Sequence, residues 1–499
     1  MDLTLLRPSD ASLRSLLVVA SVALAFACAN PDPEPATTAE GVYPATYTQA
    51  QIAYDFGIFR AALEEAHPGL YRYRSKEQID AVFAQAAASL ESVHSEGDLY
   101  LVLGRVVAAI GDGHTRLRLS AGHEAYLNGR PTFLPFKLRL IERRAYLWRD
   151  YSEDRANLIG SEIVAMNGMP MDQVLSGMLG FFSSDGTNVT GKYKDLEGTL
   201  MFGLLYQLVH GPTEAFELEL RPAGADSIVT ATVAAVSESV IDQRYEERYA
   251  EDQRDNLELT MIEGSPRIAV MRIGGFFGDD YEQFLAGAFS RIGAQGVEHL
   301  ILDLRDNGGG RDMYGSMLLS YLTDEPFAYY HSLQINGPEF EIMKFSQNPS
   351  YSVPEEEFEL RDDGYYLTPA AHDNLNIQQP REPHFDGAVY ALISGASFSA
   401  TSEFLAGLYQ NRDAVYIGEE SGGGQYGNTS GSTAVITLPH TKMRVNVPLI
   451  RYNSAIEGYE PTDRGMIPDH EVYLTQQDVL DGSDSVLEFT LELIRQSED

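Results

Sequence analysis

Apolar residues recur at helical spacing from Tyr47 to about Ile110, where Ile52, Phe56, Phe59 and Leu63 fall on one face. Ser75 and Gln78 stand three apart just before the stripe Ile79, Val82, Phe83, Ala86 and Leu90. That spacing predicts a capping box, in which the hydroxyl and the amide each satisfy an orphan backbone N–H at a helix start. A third stripe, Leu99, Val102, Val106 and Ile110, runs directly into Gly111-Asp112-Gly113-His114-Thr115. Between about Pro131 and Val236 the period shortens to two, in runs such as Phe136 to Leu140 and Phe216 to Leu220, which predicts short strands. Beyond the polar stretch Glu246 to Leu257 the texture changes again. Strand-like Ile268 to Ile273, helical Asp280 to Ile292 and strand-like Leu300 to Leu304 are followed by strand Ala388 to Ser394, helix Ala400 to Leu408 and strand Val415 to Ile417. Such alternation predicts an α/β layer with largely parallel strands. The intervening Glu325 to Asp386 is aromatic and polar without a period, the texture of a lid or hairpin insertion lining a cleft.

Composition narrows the class. The 499 residues exceed one ordinary core, and 44% hydrophobic with 22% charged residues is a globular balance. A formal charge of -37 argues against a nucleic-acid partner, because phosphate binding needs Lys/Arg patches and no basic run occurs. Arg7 and Arg14 precede the apolar run Leu16 to Ala27, which is too short to span a bilayer and has the form of an export signal. Cys28, the only cysteine, follows that run, so no internal disulfide can form. Its placement before a Pro/Ala/Thr-rich tether resembles a bacterial lipobox, while Ala25-Phe26-Ala27 also suits ordinary signal peptidase. The chain is therefore expected in the periplasm or outer envelope, lipid-anchored through Cys28 or else secreted.

Two segments carry candidate chemistry. In Ala391-Leu-Ile-Ser-Gly-Ala-Ser-Phe-Ser399-Ala-Thr-Ser-Glu-Phe404 an apolar strand turns through small residues into a helix that begins at a serine. A hydroxyl there is exposed, and neighbouring N–H groups with the positive end of the helix dipole can stabilise an oxyanion; a plain Ser N-cap is the competing account. Ile301-Leu-Asp-Leu-Arg-Asp-Asn-Gly-Gly-Gly-Arg311 runs a strand into three glycines, whose bare backbone can approach a substrate and offer N–H groups to it. A phosphate loop is the rival, but neither G-K-[ST] nor G-x-G-x-x-G is present. The eleven histidines form no H-E-x-x-H, and His67, His210, His299, His372 and His440 show no ligand spacing, which argues against a zinc peptidase.

Taken together, Leu302-Asp303-Leu304-Arg305-x-Asn307-x-Gly309-Gly310, Phe398-Ser399-Ala400, Gly418-Glu419-x-x-Gly422-Gly423 and Arg464-Gly465-x-Ile467-Pro468-Asp469 resemble the tail-specific protease family, in that family's order. The resemblance implies an α/β, ClpP/crotonase-like catalytic core, serine peptidase activity without metal or cofactor, and an oxyanion hole of backbone N–H groups, here those of Gly309 and Ala400. It also implies a layout: export signal 1–28, tether 29–45, N-terminal helical domain 46–120, β-rich PDZ-like module 125–250, and peptidase core 255–499 with insertion 325–386. Within the module, Gly160 to Gly168 resembles the strand and turn of a PDZ-like domain, whereas Met178-Leu179-Gly180-Phe181 reads as a packed turn.

One departure matters. The bacterial C-terminal-processing branch carries a lysine base after the nucleophile, but Gly424 stands at that place and the next lysine is Lys442. The tricorn-core branch instead resembles a Ser-His-acid arrangement, which implies His114 as base. For the acid, Thr462 occupies the aligned place; Glu460 is the first choice among Glu457, Glu460 and Asp463, with solvated loop charges the alternative. Asp112 and Arg305 are expected to brace loops, and Asp469 to sit in a turn. An ordinary imidazole base predicts activity rising through about pH 6 to 7. The expected substrates are peptides or unfolded protein ends; the rival function is a catalytically degraded relative that binds peptide or lipid.

Overall fold

The three helical stripes form Gln49–Ala66, Lys76–Ser89 and Glu96–Ile110 in a computed structural model that describes residues 45–153, 157–252, 254–264 and 266–497. Cys28 and the apolar run before it lie outside the described residues. All three helices open on a reciprocal cap: Thr48 with Gln51, Ser75 with Gln78, and Ser95 with Asp98. Each N-cap side chain stabilises its helix by about 1 kcal/mol. The short strand β1 (Arg116–Arg118) follows the third helix.

A five-stranded antiparallel path, β2-β3-β4-β6-β7, comes next, built from β2 (Phe136–Ile141), β3 (Arg144–Asp150), β4 (Glu162–Met166), β6 (Ala215–Arg221) and β7 (Val229–Ala234), with β5 (Met169–Pro170) paired to β4. Helices Met171–Leu179, Thr190–Leu196 and Thr199–His210 interrupt it. The sequence reading missed them for a physical reason. Thr199–His210 is apolar nearly all round and is packed on more than one side, so no amphipathic stripe marks it. Met178 to Phe181, read as a packed turn, begins with the last two residues of the first of these helices and closes as a turn, with Phe181 N donating to Met178 O at 3.1 Å.

The α/β layer holds β8 (Leu257–Ile262), β9 (Ile268–Ile273) and β10 (His299–Asp303); β11 (Tyr330–Ile335), β12 (Phe358–Arg361) and β13 (Gly364–Leu367) belong to the insertion. Then come β14 (Ala388–Ile393), β15 (Ala414–Gly418), β16 (Thr429–Thr437), β17 (Arg444–Ser454) and β18 (His470–Glu471). The central sheet runs β18-β15-β14-β10-β9-β8, parallel except for β8. Strand β10 is buried along its whole length, with Leu300 and Leu302 facing one apolar cluster and Ile301 another, as expected of a parallel strand covered on both faces.

A further sheet, β1-β17-β11-β13-β12 with β16 on β17, joins the N-terminal part to the core. Arg116, Leu117 and Arg118 pair with Asn446, Val445 and Arg444. One apolar cluster accordingly includes Phe59 and Leu103 of the helices, Leu138 and Leu218 of the second sheet, and Val445 and Val447 of β17. The helical segment and the β-rich module share a core. In the central sheet β10 and β14 are neighbours, in register from His299↔Ala388 to Asp303↔Leu392. Their following loops, the glycine turn and the Ser399 turn, thus leave the same carboxyl edge, where open α/β sheets place their sites.

Candidate active site

Four serines, Ser394, Ser397, Ser399 and Ser402, crowd the turn after β14 and the helix start behind it, and hydrogen bonds separate the last three. Ser397 Oγ donates to Leu304 O at 2.8 Å and accepts from Ser394 N at 3.1 Å. Ser402 Oγ is fully buried and leans on Ser397 O at 3.4 Å. Ser399 Oγ instead lies 3.0 Å from His114 Nε2, across 285 residues of chain. Ser399 is held at φ 57° and ψ -127°, a conformation rare for a side-chain-bearing residue and of the kind that accumulates at functional turns. It caps the helix Ala400–Asn411, so the Ala400 N–H stands at the positive end of that helix.

His114 is placed by its neighbours' backbone. The third helix ends on Gly111 at φ 74°, whose carbonyl accepts from Gly186 N at 2.9 Å. Buried Asp112 accepts from the N–H groups of His114 (3.1 Å) and Thr115 (2.9 Å) and from the Thr115 hydroxyl (3.0 Å), while Thr115 Oγ1 also meets His67 Nε2 at 2.7 Å. Asp112 thus braces the loop. The His114 ring stacks on Phe398 with centroids 4.6 Å apart. Its Nδ1 is buried and has no hydrogen-bond partner among the described residues. Burial, and secondarily the Arg116 charge, push the imidazole pKa down to about 3. The ring is therefore neutral throughout ordinary pH, and the rise through pH 6 to 7 expected of an unperturbed base moves well into the acid.

Among the described residues no carboxylate hydrogen-bonds to the ring, and the structure does not bring Glu460 to it. That residue is exposed and lines a surface cavity with Tyr409, Asp413 and Asp469. Glu457 is exposed as well, with its N–H on Gln410 Oε1, and Asp463 accepts from the Thr187 N–H and hydroxyl. Replacing Glu460 by glutamine is expected to leave peptide turnover within about threefold of wild type, whereas an orienting acid would cost orders of magnitude; steady-state kinetics on a short peptide check this.

A carboxylate that sequence reasoning missed is Asp185. Buried in the turn Ser183-Ser184-Asp185-Gly186, it accepts from Gly113 N at 2.8 Å and from Gly424 N at 3.0 Å, tying the histidine loop to the glycine-rich segment. Burial and the nearby Asp112 push its pKa up. No motif marks it, since its contacts are to backbone. Gly424 is closed off at the same place: a Cβ there would lie 2.7 Å from Tyr73 Oη and 3.4 Å from Asp185 Cβ. A lysine stem has no room.

The glycine turn packs directly on the nucleophile. Gly309 has φ 104°, and a Cβ on it would fall 2.7 Å from Ser399 Cβ and 3.0 Å from Ala400 N. Its N–H, however, donates to Asn307 Oδ1 at 2.9 Å, so any oxyanion it serves shares that hydrogen with the amide oxygen. Gly309→Ala is expected to abolish covalent labelling of Ser399 and to lower the melting temperature, because it combines a forbidden φ with a collision against backbone. Arg305 pairs with Asp303 (2.7 Å) and Asp484 (2.7 Å), bracing the end of β10 as expected. Arg464 and Gly465 N meet buried Glu420, and Asp469 exchanges hydrogen bonds with the Tyr416 backbone at its turn.

Comparison with known proteins fits this arrangement. Residues 267–472 match the family model for Peptidase family S41. The fold resembles mature CPAF complexed with lactacystin, with a TM-score of 0.61 at 15% identity over 90% of this chain and 100% of that one. It also resembles a second structure of mature CPAF, with a TM-score of 0.57 at 14% identity over 86% of this chain and 94% of that one. At these identities the likeness is one of fold. A search of curated proteins finds no match.

Proposed function

We propose that this chain, whose residues 267–472 carry a peptidase family S41 core of the tail-specific type, hydrolyses peptide bonds through an acyl-enzyme on Ser399. The observation that carries the reading is the 3.0 Å approach of His114 Nε2 to Ser399 Oγ. A neutral imidazole with its proton on Nδ1 has Nε2 free to accept. As Ser399 Oγ bonds to the scissile carbonyl carbon, its proton passes to His114 Nε2. The Ala400 N–H and the shared Gly309 N–H face the developing oxyanion. The C–N bond then breaks and the imidazolium returns the proton to the leaving amine. Water, deprotonated by the same nitrogen, attacks the acyl carbon, and as the C–Oγ bond breaks the imidazolium returns that proton to Ser399 Oγ.

The base is thus histidine in place of the lysine of the C-terminal-processing branch, and it works as a dyad. Substrates are peptides or unfolded protein ends, and export to the cell envelope with a lipid on Cys28 is part of the same reading, supported by Arg7, Arg14 and the run Leu16 to Ala27. A fluorophosphonate probe tests the enzyme against the degraded binding module. Labelling of one serine, blocked by prior incubation with a peptide substrate, supports the peptidase. A folded protein that neither takes the probe nor cleaves peptides is the binding module instead.

A further inference from the structure

A second polar cluster lies beneath the nucleophile, outside the Ser399–His114 pair. Glu403 occupies the first turn of the helix Ala400–Asn411, and its N–H donates to Ser399 O. Asp312 opens the helix Asp312–Ser320, two residues beyond the glycine turn. Tyr330, the first residue of β11, stands between them, with Oη 2.6 Å from Glu403 Oε2 and 2.7 Å from Asp312 Oδ2. Glu403 and Tyr330 are buried, and Asp312 is partly buried.

A phenol has one proton, and two short contacts to carboxyl oxygens need two. One carboxyl must therefore carry the second. The other partners decide which. Asp312 accepts from Met313 N at 2.8 Å and lies 3.0 Å from His372 Nε2, whose Nδ1 accepts from Asn374 N at 3.3 Å and so leaves the proton on Nε2. With Tyr330 it has three donors, the surroundings of an ionised carboxylate. Among the described residues Glu403 has Asn428 Nδ2 on Oε1 at 2.7 Å and only the tyrosine oxygen on Oε2. The ordering is Glu403 O–H to Tyr330 Oη, and Tyr330 O–H to Asp312. In agreement, burial and then the Asp312 charge hold the Glu403 carboxyl well above the usual carboxylate range. Against the upward pull of burial, the hydrogen bonds from His372 and Tyr330 hold Asp312 below it.

We propose that Tyr330, with a proton held on Glu403, is a positioning pin that fixes the glycine turn against the nucleophile's helix. The pin joins the two chain segments that face the oxyanion: Asp312 follows Gly308 to Gly310, and Glu403 follows Ala400. The helices it links are in contact, a Cβ on Gly315 lying 3.4 Å from Phe404 Cβ. Loss of the Glu403 proton leaves two carboxylates facing one phenol proton, and their repulsion opens the gap on which the oxyanion contacts depend. The titratable groups around Glu403 are Tyr329 and Tyr330 at the start of β11, Asp312 on its helix, His372, and Tyr452 on β17 beside Tyr330.

The proposal rests on Ser399-dependent peptide hydrolysis, and the full chain tests it. Wild type should lose at least about tenfold in kcat/KM between about pH 6 and about pH 9, and Glu403→Gln, which keeps a donor toward Tyr330 at every pH, should lose less than about threefold. Tyr330→Phe should lower kcat by about tenfold or more with little change in KM. A Glu403→Gln profile that falls as steeply as wild type, or a folded Tyr330→Phe with wild-type kcat, overturns it. If Tyr330→Phe does not fold, the Glu403→Gln profile decides. Infrared spectroscopy at about pH 6 reads the proton directly: a protonated-carboxyl band missing from Glu403→Gln supports the pin, and no such band in wild type sinks it. Absence of any Ser399-dependent turnover would count against the peptidase reading itself, and the infrared band would still report on the pin.

Discussion

Replacing Ser399 by alanine is expected to remove peptide hydrolysis and probe labelling together, by about four orders of magnitude or more, while the protein stays folded. No other hydroxyl can substitute. Ser397 spends its proton on Leu304 O, and Ser402 is enclosed between the helix and Gly423. Alanine keeps the Cβ that already tolerates φ 57°, so Ser399→Ala adds no backbone strain, and its stability should lie within about 1 kcal/mol of wild type. Ser397→Ala should behave in the opposite way. It removes a buried hydrogen bond to β10's end and should cost about 1–3 kcal/mol in denaturant unfolding with labelling retained. A folded Ser397→Ala protein that no longer labels would show the nucleophile to be misassigned.

His114→Ala is expected to reduce kcat by about a hundredfold to ten-thousandfold, the scale of general-base catalysis, with KM little changed. The pH dependence separates this histidine from an ordinary one. The active form is the neutral ring, so the loss of activity that belongs to the histidine comes only as pH drops toward its folded pKa of about 3, separate from the alkaline loss expected of Glu403. Turnover should consequently show no histidine limb between about pH 5 and about pH 8. The stability sign follows from the same shift. Between the unfolded value of about 6.5 and the folded value the unfolded chain binds the extra proton, so folding stability declines as pH falls through that window. His114→Ala should flatten that part of the stability curve, which chemical denaturation at a series of pH values measures. A kinetic midpoint near pH 6.5 that disappears in His114→Ala would instead place the ring in a solvated setting.

Local pattern revealed the helices and strands that carry one amphipathic stripe or one apolar run. Ser75 and Gln78 announced their helix, and Ile268 to Ile273 emerged as a strand with the same ends. Ser399 and the three glycines were legible because a strand-to-turn junction compresses their chemistry into a few adjacent residues. Thr199–His210 was not, since burial on several sides erases its period. Asp185, Tyr330 and Glu403 were invisible for a different reason: each acts through partners on other elements, from 18 positions away in the sequence for Tyr330–Asp312 to 239 for Asp185–Gly424. Glu460 is the reverse case. Proximity to a motif in sequence suggested a role, and the loop carries it to the surface instead.

The base and the nucleophile come from opposite ends of the fold, and the strand that brings them together, β1 on β17, closes a loop of more than three hundred residues. The stretch 267–472 alone holds Ser399 but not His114. A nascent chain emerging from its N-terminus therefore presents His114 long before Ser399, and the two meet only once β17 has docked on β1. Assembly of the proposed pair is thus a late event set by topology.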